Sequence, residues 1–266
     1  MLYERRCTDV VVLLPGHLSD QRAVMNRVTV LAWNVAHQIY KSREIPESLG
    51  IALERVGADV VFLSEFVDRE DHGKARLLEQ LDQAGYVYRA MAPAPAVYNR
   101  HHSYNRIFAA SRLPFEIGDL VPPRTDEFAM SNFLHLRLPD SGIELVGLRA
   151  PAYAGATKAA YRQELTTLLR SAASNRPLAV AGDWNRFPFK LINDVYSVPQ
   201  PEGPWSYIHS RGSSQLDYVV HTAGISLRGA PRYQYPVDAR GVPLVGLKTD
   251  GAISDHAPLT FTAQLV

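Results

Sequence analysis

Six short polar side chains end or interrupt apolar runs along this chain. Asn34 closes "VLAWN", Glu65 closes "VVFLSE", Asp183 and Asn185 close "AVAGDWN", Asp217 sits in "QLDYVV", and Asp255 opens "SDHAPL" just before His256. Taken singly, an Asn or Asp in such a place forms an Asx turn that ends a strand. Glu65 is different, because a carboxylate inside "VVFLSEF" is buried and needs a cation or a donor beside it. Taken together, four carboxylates and two amides form a set of hard oxygen donors, with no thiol or histidine cluster to suggest zinc. That set suits Mg²⁺, with Mn²⁺ as a substitute, and an ion of this kind completes its shell with water and substrate phosphate. His256 adds a group that titrates near neutral pH, and Asp217 is a second carboxylate able to orient its ring. The chemistry these residues suit is attack on a phosphoester.

Strands and helices must carry these residues to one place. Strand patterns occupy 27–34, 58–66, 106–111, 131–138, 143–150, 178–185, 215–222 and 256–265. Some are continuously apolar, and others alternate, as where Leu134, Leu136 and Leu138 are set against Phe133, His135 and Arg137. Helical spacing joins Ile45, Leu49, Leu53 and Val56, with Pro46 at the start and Gly57 past the end. Residues 73–85 and 157–174 repeat the pattern, the second placing Leu165, Leu168 and Leu169 on one stripe. Long loops rich in Pro, Gly and Tyr fill 92–105, 114–128, 186–205 and 231–252, lengths at which functional loops are common.

The chain has 266 residues, 46% of them hydrophobic, enough to bury one core of the larger α/β kind. Lys plus Arg is 28 against 27 for Asp plus Glu, a net charge of +1, which excludes a strongly basic nucleic-acid coat but allows a local basic patch. The single cysteine, Cys7, cannot form an internal disulfide and fits a reducing compartment. The apolar run Val10 to Leu14 is too short for a signal segment or a membrane span. The expectation is a soluble, cytoplasmic, monomeric protein with no membrane partner. Residues 27–266 are expected to form one domain, and 1–26 an N-terminal extension of uncertain role.

Asn34 in "AWN", Glu65 in "LSE", then "GDWN", "LDYVV" and "SDHAPL", in this order and spacing, resemble the endonuclease/exonuclease/phosphatase superfamily, which includes deoxyribonuclease I, exonuclease III and the abasic-site endonucleases. The resemblance covers about 27–266. It implies a four-layered α/β sandwich, two packed mixed β-sheets flanked by helices, with the active site at one end where the strand ends converge. It also implies roles. Glu65 resembles the principal Mg²⁺ ligand, with Asn34 and Asp255 in the metal shell. Asp183 and Asn185 resemble the pair that positions the attacking water and holds a phosphate oxygen. His256 resembles the histidine at the scissile phosphate, as proton acceptor or phosphate ligand, and Asp217 the carboxylate bonded to its ring. Tyr104 in "SYNRIFAAS" matches a tyrosine that contacts phosphate in the abasic-site endonucleases, although Arg106 and Phe108 stand where many members are Gly-rich. A further departure is Arg149 in "LRAPAY", where many members place a histidine. Arginine clamps a phosphate bidentately but cannot donate a proton at neutral pH.

The segment "YNRHHSYNR", 98–106, combines cations and aromatic rings suited to phosphate contact and base stacking, with Arg106 as a substrate contact. Arg186, Phe187 and Phe189 follow "GDWN" at the rim of the site. The leading expectation is a Mg²⁺-dependent nuclease acting on DNA by in-line attack of water. The alternatives are a phosphatase or phosphodiesterase for a small phosphorylated molecule (phosphoinositide, sugar phosphate or nucleotide), and a non-catalytic binding module on the same fold.

Overall fold

A computed structural model of the chain describes residues 27–36, 44–68, 73–94, 105–125, 129–152, 155–188, 195–247 and 252–266. The N-terminal extension 1–26, Tyr104 with most of the 98–106 segment, and Phe189 lie outside the described residues.

Two sheets form the centre. The larger runs β12 (Ile225–Leu227), β14 (Leu259–Leu265), β1 (Arg27–Asn34), β2 (Val60–Val67), β4 (Asn105–Ser111) and β3 (Tyr88–Met91), with β13 (Arg232–Tyr233) also paired to β14. The smaller runs β11 (Asp217–His221), β8 (Leu178–Asp183), β7 (Ile143–Arg149), β6 (Phe133–Leu138) and β5 (Glu116–Ile117). Each sheet is mixed: β1 and β2 are parallel, as are β7 and β8, while their other neighbours are antiparallel. A short hairpin, β9 (Tyr207–His209) and β10 (Gly212–Ser214), forms a separate ladder and is bridged to His256, just before β14.

Alternation along the strands decides which layer each side chain enters. In β8, Ala179 and Ala181 face the larger sheet, while Leu178 and Val180 face outward. In β6, Leu134, Leu136 and Leu138 point between the sheets, as their period predicts. Gly147 on β7 has no side chain for a reason that is visible across the layer: a Cβ there would lie 2.4 Å from the Phe62 ring of β2.

Helices cover both outer faces and complete four layers. Helix α1 (Glu47–Val56) buries Leu49 and Leu53, and α2 (Lys74–Gln83) buries Leu77 and Leu81, all against the larger sheet. Each of these leucines contributes roughly 1.5–3 kcal/mol by leaving water. Gly57 ends α1 in the left-handed conformation (φ 67°), its N–H returning to the Leu53 carbonyl at 3.1 Å. Helix α3 (Ala156–Ala173) lays Tyr161, Leu165 and Leu169 on Val146, Leu148 and Val180 of the smaller sheet. Among the described residues no helix is long and apolar enough to cross a membrane.

Candidate active site

Strands β1 and β2 run parallel, so Asn34 and Glu65 arrive at the same edge of the larger sheet. Strands β7 and β8 are parallel too, with Arg149 opposite Asp183, and Asp217 of β11 pairs with Asp183 from the other side. Local irregularities then aim the side chains. The β2–β4 register shifts between Leu63 and Phe66, and within that bulge Glu65 takes φ 54°. Asn185 takes φ 52° just past β8. Left-handed conformations at non-glycine residues cost about 1–3 kcal/mol each and persist where surrounding structure imposes them. Gly182 is required outright: its φ is 141°, and a Cβ would stand 2.0 Å from the Leu148 carbonyl oxygen. The turn that ends "AVAGDWN" is therefore also the device that presents Asp183 and Asn185.

Hydrogen bonds join the two sheets through these side chains. The Asn34 amide donates from Nδ2 to Asp183 Oδ2 at 3.0 Å and to Glu65 Oε1 at 3.3 Å, while its Oδ1 accepts the Ala36 N–H at 2.9 Å. Asn34, expected in a metal shell, thus clips two carboxylates together. Asn185 donates from Nδ2 to the Ala150 carbonyl at 2.7 Å and to Asp183 Oδ2 at 3.1 Å, and its N–H meets Asp183 Oδ1 at 2.8 Å. Arg149 Nη2 lies 2.7 Å from Glu65 Oε1, so the arginine found where relatives place histidine is at the site, paired with its central glutamate.

His256 Nδ1 is 2.9 Å from Asp217 Oδ2, and both residues are buried. Ser254 Oγ donates to the Asn34 carbonyl at 2.5 Å and accepts the His256 N–H at 2.9 Å, and Trp33 Nε1 donates to the His256 carbonyl at 2.7 Å. These bonds explain why "AWN" and "SDH" work as a pair. Ser206 Oγ in turn accepts the N–H groups of Leu216 and Asp217 at 2.8 and 3.0 Å. The Tyr207 ring of β9 packs on the His256 ring at 4.7 Å between centroids. Burial, and then Asp255, Asp183 and Glu65, raise the pKa of its phenol, which puts it within the field of the acidic set. Spacing gave no sign of Tyr207; the available signal was an aromatic residue in "WSYIHS" shortly before "LDYVV".

Electrostatics follow from this crowding. Burial disfavours the charged form of His256, but Asp217, Asp183 and Asp255 outweigh it, and its pKa is raised to about 9. Burial raises the Asp183 pKa; His256 opposes that shift and Asp217 adds to it. Asp183, Asp217 and His256 bring ligand atoms within 4.8 Å of one another, and Asp217 Oδ1 is buried with no hydrogen-bond partner. Packed carboxylates of this kind fit a divalent cation, with Glu65 close by through Asn34. Asp255, half-buried beside His256, also belongs to this group.

Arg106 does not join the set. Its Nη1 pairs with Asp68, which Lys74 also holds at 2.8 Å, and its Nε donates to the Ala92 carbonyl. Those bonds hold a guanidinium expected to contact substrate. Arg186 and Phe187 are exposed just beyond Asn185, at the rim.

A family model described as "Endonuclease/Exonuclease/phosphatase family" matches residues 31–256. No curated protein matches the chain by sequence. Among solved structures, an endonuclease/exonuclease/phosphatase from Beutenbergia cavernae superposes with a TM-score of 0.64 at 17% identity, over 90% of this chain and 72% of its own. The human nocturnin catalytic domain with bound sulfate gives 0.59 at 17%, over 91% and 94%. ANGEL2, a 2′,3′-cyclic phosphatase, gives 0.58 at 16%, over 94% and 99%. With the family model spanning every residue from "AWN" to "SDH", the chain belongs to the endonuclease/exonuclease/phosphatase family of phosphoester-hydrolysing enzymes.

Proposed function

We propose that this protein is a Mg²⁺-dependent phosphodiesterase that cuts DNA by in-line attack of water. The observation that carries the reading is the buried His256–Asp217 pair, 2.9 Å apart, at the end of the sandwich where Asp183 and Asn185 of the smaller sheet meet Glu65 of the larger through Asn34. A divalent ion held by Glu65, with Asp255 and Asn34 beside it, would supply positive charge to a phosphate oxygen. Asp183 accepts a proton from water, and Asn185, fixed by Ala150 and Asp183, holds that water or a phosphate oxygen in line. His256, with Nδ1 occupied by Asp217, offers Nε2 to the phosphate; among three carboxylates the imidazole keeps its proton and donates it there. Arg149 beside Glu65 adds a fixed positive charge for the developing negative charge, in place of a protic histidine.

The test is hydrolysis of supercoiled plasmid, an abasic-site duplex and a panel of phosphomonoesters, with Mg²⁺ and with EDTA. Cleavage of DNA is expected only with Mg²⁺, and it is lost in Glu65→Gln. Asp217→Asn, which keeps shape but removes the charge that orients His256, is expected to lower kcat about 10²–10⁴-fold with the melting temperature retained. Release of phosphate from monoesters alone would move the protein to a small-molecule substrate. Full activity in Asp217→Asn would remove His256 from the mechanism.

A further inference from the structure

Beside Asn185 the chain leaves Ala150 for α3, and three cations gather there. Lys158 Nζ donates to the Ala152 carbonyl at 3.1 Å, two residues from the carbonyl that anchors Asn185. Arg162 follows Lys158 by four residues on α3, so the two share a helix face. Arg186, exposed, directly follows Asn185. Arg162 Nε and Nη2 are both shielded from solvent and have no hydrogen-bond partner. Those two nitrogens form one edge of the guanidinium fork, the edge that grips two oxygens of a phosphate.

Among the described residues, no carboxylate forms a salt bridge with Lys158, Arg162 or Arg186, although the Asp183 charge reaches Lys158. Burial, Arg162 and Arg186 all lower the Lys158 pKa, opposed by Asp183, and burial and Arg186 lower that of Arg162. The first turn of α3 has no acidic residue and no side-chain cap, so its positive end adds to the field. Like charges held this close, one with unpaired buried donors, are costly unless an anion joins them.

We propose that Lys158, Arg162 and Arg186 form a second phosphate subsite, which binds the phosphate next to the one being cleaved and so selects substrates that carry two phosphates in sequence. The inference rests on the hydrolase reading above and narrows it to substrates with two neighbouring phosphates. A lone phosphomonoester leaves the subsite empty. An adjacent nucleotide phosphate or the second phosphate of a diphosphate ester fills it.

The test has a binding arm and a catalytic arm. In EDTA, binding of fluorescein-labelled hexathymidylate is measured for the wild type, for Arg186→Gln and for the Lys158→Gln/Arg162→Gln double variant. The expected result is a Kd at least tenfold weaker in the double variant and severalfold weaker in Arg186→Gln, with a shallower salt dependence in both. Arg186→Gln covers the case in which the double variant fails to fold, because Arg186 is exposed. In Mg²⁺, kcat/KM is compared for 5′-phosphorylated thymidine dinucleotide, the same dinucleotide without that phosphate, a nucleoside-diphosphate alkyl ester and bis(p-nitrophenyl) phosphate. The wild type is expected to prefer a two-phosphate substrate by tenfold or more, and Arg186→Gln to reduce that preference while leaving bis(p-nitrophenyl) phosphate within twofold. Which two-phosphate substrate is preferred tells a strand from a diphosphate. Unchanged binding in the variants, or equal rates with and without the flanking phosphate, overturns the subsite. Loss of all hydrolysis in the wild type with cation-dependent binding intact would instead overturn the hydrolase reading alone.

Discussion

Replacing Asn34 by Asp keeps size and shape but turns a donor into a third carboxylate. In the wild type Asn34 Nδ2 faces Asp183 Oδ2 at 3.0 Å and Glu65 Oε1 at 3.3 Å. Two unit charges 3.0 Å apart at an effective dielectric near 20 repel by roughly 5 kcal/mol, and the second contact is similar. Repulsion has a ceiling, because one carboxyl can take up a proton instead. At pH 8, protonating a group of ordinary pKa near 4 costs about 5 kcal/mol. Arg149 beside Glu65 and His256 beside Asp183 offset part of this, which leaves a net penalty of about 3–5 kcal/mol, or roughly 10 °C in a domain of this size. The assay is thermal unfolding of both proteins at pH 8 and pH 5, in EDTA and in Mg²⁺. The deficit of Asn34→Asp should be largest at pH 8 in EDTA, shrink at pH 5, and shrink again with Mg²⁺, whose charge the extra carboxylate attracts. Equal melting temperatures at pH 8 in EDTA would refute the clip and the crowding inferred from it.

Two further predictions concern the scaffold. Gly182→Ala combines roughly 1–3 kcal/mol of backbone strain with a clash against the Leu148 carbonyl that must shift β7, whereas Gly85→Ala (φ 84°, open surroundings) incurs strain alone; paired melts and activity measurements should show a far larger loss at 182, with hydrolysis abolished. His135 is buried, its Nδ1 accepting the Leu120 N–H at 3.2 Å and its Nε2 at 2.8 Å from Glu144 Oε2, the pattern of a neutral ring; burial lowers its pKa, with Glu144 opposing. A depressed folded pKa means that His135 contributes its full stability above the unfolded value near 6.5 and loses it as pH falls from there through the folded value. Urea midpoints between pH 7.5 and 5 should therefore fall more steeply in the wild type than in His135→Asn, and parallel curves would argue against a neutral His135.

Much of this molecule is legible before folding, for physical reasons that differ by element. Pro46, the leucine spacing and Gly57 mark α1 at both ends, and β1 occupies the very residues its apolar run suggests, because buried faces impose their period. The strands β5 and β13, two residues each, lie inside segments read as loops; so short a run carries no period. The β9–β10 hairpin was likewise unmarked, and with it Tyr207. At the site, residue types could be read because the donors sit at strand ends. Their partners could not. Arg106 pairs with Asp68 and Arg149 with Glu65 across sheets and turns, and contacts between residues 38 and 84 positions apart leave no local trace. Lys158 and Arg162 carried no signal in the sequence, because the charge of Arg186 reaches them only through the fold.

Asn34 belongs to one sheet and Asp183 to the other, so the bond between them works as a gauge of how the two halves of the sandwich sit. A slip of one sheet past the other by a single ångström would open that bond before it unfolded any strand. Catalytic competence should therefore report the alignment of the layers with more sensitivity than any spectroscopic probe of the core. Conditions that loosen inter-sheet packing, such as mild denaturant, should silence the enzyme while its circular dichroism still reads as native.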